Sequence, residues 1–191
     1  MQKLIDQYVS QLSSALNLDG MSDVPKIAEA FRSAWRDKKV IYFCGNGGSA
    51  GNANHLANDF TYGAGLQFGL GLRVESLSSN PSVVTCLAND IGYENIYSEQ
   101  LRVKADRDDV LIVLSGSGNS LNVVNALEMG NGLGMKTFAV LGFSGGKCKE
   151  LAQQSVHFAI DDMQIAEDLQ LIVFHMVMQY LCGVGPAEQT G

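Results

Sequence analysis

The sequence predicts an α/β fold in which a parallel sheet is covered by helices on both faces, and three observations lead to this prediction. Mainly apolar runs at residues 40–44, 109–114 and 136–141 have the length and the β-branched content of buried strands. Segments with helical periodicity separate the runs, and alternating strands and helices are typical of parallel sheets. Glycine-rich loops directly follow the first two runs, at the strand ends where doubly wound sheets bind ligands.

Residues 1–38 are predicted to be helical and to precede the first strand. Apolar residues recur at helical spacing before a break at residues 17–22. Ser22 or Asp23 can cap the second helix, and Pro25 stands where a first-turn proline is tolerated. Two leading helices of this kind can pack against another subunit.

The remaining elements follow in the order that a parallel sheet with helical crossovers requires. They are a helix at residues 49–60, a loop at 61–71, a strand at 72–77, a helix or turn at 82–87, a loop at 89–92, a helix at 97–104, the strand at 109–114, a helix at 121–129, the strand at 136–141, a short helix to about residue 153, a strand at 156–160 and a long apolar helix at 164–181. We expect one domain over residues 1–191, divided into a helical extension at 1–38, an α/β core at 39–182 and a tail at 183–191.

The composition argues against several classes of function. The chain is 46% apolar and 17% charged, with a net charge of -7 and no basic run of five residues, so we expect no binding to nucleic acid. No apolar window is long enough for a membrane span, and the N-terminus lacks a signal-peptide stretch. The four cysteines are too widely spaced for a disulfide framework or a zinc knuckle, and we expect them to be reduced and mostly buried. A cytoplasmic protein without membrane contacts is predicted.

The loop at residues 115–120 lies between a buried strand and a helix and has the composition of a phosphate-binding turn. Gly116 and Gly118 allow close approach of the backbone, and Ser120 can cap the following helix. Ser115 and Ser117 add hydroxyl donors, and the free N–H groups at a helix start attract anions without a lysine. An ordinary strand–helix turn is the alternative. The patterns of a P-loop and of a dinucleotide-binding loop are both absent, so we predict no nucleotide cofactor.

A second loop of the same kind follows the first strand and contains Asn46, Gly47, Gly48 and Ser49. The carboxyl ends of parallel strands meet at one edge of the sheet, so two such loops favour a shared pocket. Either loop alone is a weak signal, and the pair is more specific.

Two pairs of polar residues on predicted helices are candidates for chemistry. His55 and Asp59 are four residues apart on one helix face and can share a metal, with an exposed His–Asp pair as the alternative. Glu167 and His175 are eight residues apart, just over two turns, and also point roughly the same way. His175 lies in an apolar stretch, where a satisfied core histidine is the alternative. His157 is assigned no role.

These motifs together resemble one known family. The run at residues 44–50 followed by His55, and the run at 115–120 followed by Asn122 and Val123, are similar to the sugar isomerase (SIS) domain and, more narrowly, to the bacterial phosphoheptose isomerases. The similarity extends over nearly the whole chain. It implies a three-layer sandwich with a five-stranded, flavodoxin-like parallel sheet, and a homotetramer with active sites at subunit interfaces.

The resemblance also implies roles for particular residues. It assigns the phosphate of a sugar phosphate to Ser115, Gly116, Ser117 and Ser120, and the sugar to Asn46, Gly47, Gly48, Ser49, Asn89 and Asp90. The family's metal and acid–base residues correspond to His55, Asp59, Glu167 and His175, and the last three are the catalytic candidates. Two imidazoles and two carboxylates that converge suit a four-coordinate zinc ion, so zinc is the expected metal.

The sequence departs from the family pattern at several of these positions. Asp59 stands where the family has Glu, Glu167 where it has Gln, and Gly116 where Thr is common. Gln164 stands where the family has Asp, and an Arg that often follows the His55 helix is replaced by the segment that begins at Tyr62.

The expected function is that of an aldose–ketose isomerase. It would convert sedoheptulose 7-phosphate, or a close sugar phosphate, to D-glycero-D-manno-heptose 7-phosphate through an enediol. Two alternatives stay open: a non-catalytic SIS protein that senses sugar phosphate, and an SIS protein that binds replication-initiator molecules. The retained His175 and two carboxylates favour the enzyme, because this reaction needs both an acid and a base.

Overall fold

The structure of the chain is a computed structural model that describes residues 1–17 and 19–186. Over these residues the sheet has five strands: β1 (Val40–Gly45), β2 (Arg73–Ser76), β3 (Val110–Ser115), β4 (Lys136–Leu141) and β5 (Gln154–His157). The α-helices of the same residues are α1 (Gln2–Leu16), α2 (Val24–Arg36), α3 (Gly48–Tyr62), α4 (Pro81–Ile91), α5 (Ser98–Lys104), α6 (Leu121–Leu133), α7 (Gly146–Leu151) and α8 (Met163–Val184). Short 3-10 helices lie at Asp19–Asp23, Gly63–Gly65 and Tyr93–Asn95.

All neighbouring strands of the sheet are parallel, and their order is β2-β1-β3-β4-β5. This is the flavodoxin-like order, so the expected α/β sandwich with five parallel strands is confirmed. The direction of winding reverses between β1 and β3, and ligands of such sheets bind beyond the carboxyl ends of the strands at this point. Gly45 of β1 lies opposite Leu114 of β3, so the loops after these two strands begin side by side.

Helices cover both faces of the sheet because the strand residues alternate between two apolar cores. In β1, Ile41 and Phe43 belong to one core, and Tyr42 and Cys44 to the other. The first core also receives residues of α1, α2, α3 and α8. At its centre, four rings lie with centroids 5.0 to 6.4 Å apart: Phe31, Phe43, Phe60 and Phe174. Phe60 is on α3 and Phe174 on α8, so this cluster fixes the two helices against each other.

The predicted helix boundary differs from the structure at α4, whereas α2 begins directly after Asp23 as predicted but without the predicted capping hydrogen bond. The loop predicted at residues 89–92 is largely helical, because α4 continues until Gly92 ends it with a φ of 93°. Asn80 caps the start of α4 by accepting hydrogen bonds from two backbone N–H groups. Asp23 precedes α2, but its side chain makes no capping hydrogen bond and lies 2.7 Å from Lys26 Nζ in an ion pair.

The last strand and the last helix also differ from their predicted bounds. The apolar run at residues 156–160 predicted a later strand than β5, whose pairing with β4 ends at His157. Phe158 is buried in the core without being part of the strand, which explains the misleading pattern. α8 continues to Val184, into the tail expected at 183–191, and residues 187–191 of that tail lie outside the described residues.

The expectation of mostly buried cysteines is right for two of the four. All four are free thiols, and Cys44 and Cys148 are buried, whereas Cys182 is half-buried and Cys86 is exposed. Burial raises the pKa of Cys148 to about 12 and the pKa of Cys44 further above its usual range. Among the described helices, none is long and apolar enough to cross a membrane.

Candidate active site

The loops after β1 and β3 are joined by a reciprocal pair of amide side chains. Asn46 Nδ2 donates to Asn122 Oδ1 at 2.9 Å, and Asn122 Nδ2 donates to Asn46 Oδ1 at 2.8 Å. The hydroxyl of Tyr93 also donates to Asn46 Oδ1, at 2.9 Å. Asn122 is 1% exposed, and buried amides need partners of this kind. The two glycine-rich loops therefore lie together at the point where the sheet reverses its winding.

The loop at residues 115–120 is shaped by its own hydroxyl groups. Ser115 Oγ accepts a hydrogen bond from Gly118 N at 3.0 Å, and Ser117 Oγ accepts one from Asn119 N at 3.3 Å. These bonds hold the backbone in a tight turn between β3 and α6. The predicted strand–loop–helix arrangement is therefore present.

Ser120 is the residue before α6, but its side chain makes no capping hydrogen bond. The prediction that Ser120 caps this helix is therefore wrong. The N–H group of Val123, which a capping side chain would use, instead donates to Asn122 Oδ1 at 3.0 Å. The hydroxyl of Ser120 is thus not committed to the first turn of α6.

A cavity of about 100 Å³ lies between the two loops and the start of α8. Its lining combines hydroxyls, one amide, one carboxylate and two apolar side chains. The lining residues are Asn46, Ser49, Leu114, Ser115, Gly116, Ser117, Ser120, Met163 and Glu167. All of these except Leu114 and Met163 are site residues predicted from the sequence. Because α6 begins directly after Ser120, its N-terminus adjoins the cavity and favours an anion there.

The other four predicted contacts to the sugar lie outside the cavity lining. Gly47 and Gly48 form the backbone at the start of α3, where Gly47 has a φ of 56°. Asn89 and Asp90 lie on α4, and Asn89 Nδ2 donates to Asp90 Oδ1 at 2.8 Å. Their assignment to the sugar stays a prediction.

The carboxylate of Glu167 lies directly against the backbone of Gly48, the first residue of α3. A Cβ atom built on Gly48 would be 2.5 Å from Glu167 Cδ and would overlap both carboxylate oxygens. Glycine at this position therefore leaves the space that the carboxylate occupies. A negative charge near a helix N-terminus is favourable, so the start of α3 stabilises the carboxylate in the cavity wall.

Side-chain hydrogen bonds hold α8 against α3 beside the cavity. Gln170 Nε2 donates to Ser49 Oγ at 3.0 Å, and Asn52 Nδ2 donates to Gln170 Oε1 at 2.9 Å. Asn52 Nδ2 also lies 3.0 Å from the backbone oxygen of Glu167. Sequence reasoning missed Gln170, which is 1% exposed. Its signal was an amide three residues after Glu167, on the same side of an otherwise apolar helix.

Met163 is a further cavity residue that sequence reasoning missed. A Cβ atom built on Gly116 would be 2.5 Å from Met163 Sδ. A threonine at position 116, as is common in the family, would therefore require the end of the Met163 side chain to move. The departure at Gly116 is thus matched by the thioether that fills the same space.

A second cluster brings together His55, Asp59 and His175. His55 Nε2 lies 3.2 Å from His175 Nε2 and 3.3 Å from Asp59 Oδ2, and His175 Nε2 lies 3.8 Å from Asp59 Oδ2. The side chains of His55 and His175 are 47% and 46% exposed. The alternative of a satisfied core histidine is therefore wrong for His175. The packing of α3 on α8 turns the His55–Asp59 pair into a cluster of three.

The spacing of this cluster fits a metal ion. In tetrahedral coordination with Zn–N bonds of about 2.0 to 2.1 Å, two ligand nitrogens lie about 3.3 Å apart. The separations of 3.2 Å between the imidazoles and 3.3 Å between His55 and Asp59 match this value, and the third is 3.8 Å. Two histidines, one carboxylate and an open fourth position are typical of catalytic zinc sites.

Glu167 is not part of the histidine cluster, so the prediction that four residues converge is wrong in this respect. Glu167 and His175 lie on one side of α8, but eight residues at 1.5 Å each separate them by about 12 Å along the helix. The carboxylate of Glu167 instead lies beside Gly48 and lines the cavity. Two residues on one face of a helix point in the same direction, but their side chains can meet only if they also lie at the same level along the helix axis.

A family model described as the SIS domain matches residues 6–142 of this chain. The chain belongs to the SIS domain family. Within this family, a phosphoheptose isomerase of Helicobacter pylori (strain P12) is 39% identical over 137 residues, which are 72% of this chain and 71% of that protein. A phosphoheptose isomerase of Aeromonas hydrophila is 30% identical over 188 residues, which are 93% of this chain and 95% of that protein. The SIS protein is therefore a member of the phosphoheptose isomerase family, and the expectation of an isomerase is confirmed at that level.

Two solved structures share the fold of this SIS protein over almost its full length. The phosphoheptose isomerase of Neisseria gonorrhoeae has a TM-score of 0.85 at 24% identity, and the match covers 96% of this chain and 99% of that one. The phosphoheptose isomerase of Francisella tularensis has a TM-score of 0.87 at 21% identity, with coverage of 95% and 96%. At these identities the comparison supports the fold alone.

Proposed function

We propose that this SIS protein is an aldose–ketose isomerase that converts sedoheptulose 7-phosphate, or a close sugar phosphate, to D-glycero-D-manno-heptose 7-phosphate. The observation that carries the proposal is the arrangement of two sites along α8. Glu167 borders the serine-lined cavity, and His175 joins the cluster with His55 and Asp59. About 12 Å of helix separates the two sites, which is the length scale of an extended sugar phosphate.

The serine-lined cavity is the proposed site of the substrate phosphate. Ser117 and Ser120 offer hydroxyl donors, and the adjoining start of α6 favours an anion. Replacing both serines by alanine is expected to weaken sugar-phosphate binding tenfold or more, at about 1 to 2 kcal/mol per lost bond. Calorimetry measures this, and Ser144→Ala, an exposed serine outside the cavity lining, is the control. Unchanged affinity in the double variant would remove this loop from the site.

Asp59 and His175 are the proposed proton-transfer groups. In the forward reaction a base removes a proton from C1 of the ketose while an acid protonates the oxygen at C2, which gives an enediol. A proton then returns to C2 as the hydroxyl at C1 loses its own, and the aldehyde forms. Glu167 is the other carboxylate that the sequence offers for this role. Its place beside the phosphate cavity favours Asp59, which lies 3.8 Å from His175 Nε2.

We also propose that His55, Asp59 and His175 hold zinc. The ligand types and the separations near 3.3 Å support this assignment. A zinc ion bound through His175 Nε2 would supply a Lewis acid that polarises the substrate carbonyl in place of a protonated His175, and the carboxylate oxygen of Asp59 that is not bound to zinc would act as the base. The cluster lies about 12 Å from the cavity along α8, so the metal would stand at the reacting end of the sugar and away from its phosphate.

A homotetramer is proposed because α1 and α8 leave apolar side chains exposed. On α1, Leu4, Ile5 and Val9 are 57%, 46% and 57% exposed. On α8, Met176 and Tyr180 are 37% and 43% exposed and line a groove of about 410 Å³ that α2 completes. Apolar surface of this kind is typical of subunit contacts. Sedimentation equilibrium tests the assembly, and a monomer at micromolar concentration would contradict it. The cytoplasmic location stays a prediction.

The isomerase is tested by following ketose phosphates with six and seven carbons by NMR in heavy water. Aldose product with deuterium at the carbon that receives the proton is the expected result. His175→Ala should abolish both product and exchange, whereas His157→Gln, which changes a histidine outside the cluster, should retain them. If the wild type binds these compounds but yields neither exchange nor aldose, the sugar-phosphate sensor replaces the enzyme. The initiator-binding alternative has no separate support in the site.

A further inference from the structure

The cavity proposed for the phosphate is lined by a carboxylate and by no lysine or arginine. Among its lining residues, Glu167 is the one that carries a charge. In a cavity of about 100 Å³, any bound phosphate must lie within a few ångströms of this carboxylate. Two like charges about 5 Å apart, at an effective dielectric constant of about 20, repel strongly enough to weaken binding more than tenfold.

Contacts with α3 support the position of this carboxylate. Gly48 provides the space for it, and the start of α3 favours its negative charge. The α8 backbone at Glu167 is tied to α3 through Asn52. Met163, one turn earlier on α8, fills the space beside Gly116. The first turns of α8 therefore place one thioether and one negative charge on the wall of an otherwise anion-binding cavity.

We propose that Glu167 is a specificity-determining residue that weakens the binding of doubly charged esters in this cavity more than the binding of singly charged ones. The proposal rests on the proposed phosphate site. A phosphate monoester carries a charge close to −2 above neutral pH, whereas a sulfate ester of the same shape carries a single charge. The repulsion from one fixed carboxylate is therefore about twice as large for the phosphate ester. With Glu167 in place of a neutral residue, the affinity of the cavity for the sulfate ester relative to the phosphate ester is therefore higher.

The test compares glucose 6-phosphate with glucose 6-sulfate at pH 8, with binding measured by calorimetry. Glu167→Gln is expected to bind the phosphate ester at least a hundredfold more tightly than the wild type, and the sulfate ester at least tenfold more tightly. The control is Glu128→Gln, which makes the same change in net charge at an exposed position of α6 outside the cavity lining. Its affinity for both esters should stay within twofold of the wild type.

Three outcomes would overturn the proposal. Equal affinity of wild type and Glu167→Gln for the phosphate ester would mean that the carboxylate does not act on the ligand, while the phosphate site itself would stand. Equal gains for both esters would indicate a steric effect rather than a charge effect. Failure of wild type and variant to bind either ester would remove the phosphate site and this proposal together. Glu167→Ala provides a second variant without the charge, and melting temperatures verify that each variant is folded.

Discussion

Replacing Gly118 by alanine is expected to destabilise the chain by about 2 to 4 kcal/mol. Gly118 has a φ of 65°, in the left-handed region that costs other residues about 1 to 2 kcal/mol. A Cβ atom there would overlap the carbonyl oxygen of Gly145 and lie 2.7 Å from its carbon. Because these are backbone atoms, the loop after β4 has to move. That movement disturbs the 3.0 Å hydrogen bond from Cys148 N to Gly118 O, which is worth about 1 kcal/mol.

The melting temperature of the Gly118→Ala variant measures this effect, and an alanine variant of a second glycine serves as the control. For a chain of this size, 1 kcal/mol changes the melting temperature by about 2 to 4 °C, so Gly118→Ala should lower it by about 5 to 15 °C. The control is Gly132→Ala on α6, where a Cβ atom meets nothing within 4 Å. Alanine in a helix is favoured over glycine by about 0.5 to 1 kcal/mol, so this variant should melt slightly higher. A Gly118→Ala protein with the wild-type melting temperature would refute the reasoning from backbone overlap.

Three further results are expected. Metal analysis of protein purified without chelator should find about one zinc per chain, and the His55→Ala variant should lose this zinc. A content below about one tenth zinc per chain, with no uptake of added zinc, would contradict the proposed zinc site. Gly116→Thr should lower the melting temperature because its Cβ atom would be 2.5 Å from Met163 Sδ, and Met163→Ala in the same chain should restore part of the loss; equal melting of the single and double variants would argue against this contact. At pH 8 a thiol reagent should modify exposed Cys86 well before Cys148, whose burial raises its pKa to about 12. This order should hold although a hydrogen bond to Asp90 also raises the pKa of Cys86, and rapid labelling of Cys148 in the folded protein would contradict it.

The fold could be predicted because its signals are local. The buried strands β1, β3 and β4 appear in the sequence as apolar runs, and glycine-rich loops follow two of them. The extent of β5 could not be predicted in the same way. Phe158 is as apolar as a strand residue and its N–H group still donates to Leu141 O of β4 at 2.9 Å, but the paired register of β5 with β4 ends one residue earlier, at His157.

The candidate site could be predicted only where residues share an element or adjacent strand ends. His55 and Asp59 meet through helical spacing alone. The arrival of His175 beside them depends on the contact between Phe60 and Phe174, which no periodicity encodes. For Glu167, the spacing correctly indicated the face of α8 but not that the residue lies too far along the helix axis to reach His175. Its neighbour Gly48 is distant in the sequence, so their contact could not be predicted from spacing.

The amide pair between Asn46 and Asn122 constrains how this protein can change over evolutionary time. Each side chain both donates to and accepts from the other, across a separation of 76 residues in sequence. An aspartate at either position would lose a donor and set two acceptor oxygens against each other, and an aliphatic residue would leave its partner unsatisfied. We therefore expect the two positions to covary: in related sequences, a substitution at one position should be accompanied by a compensating substitution at the other.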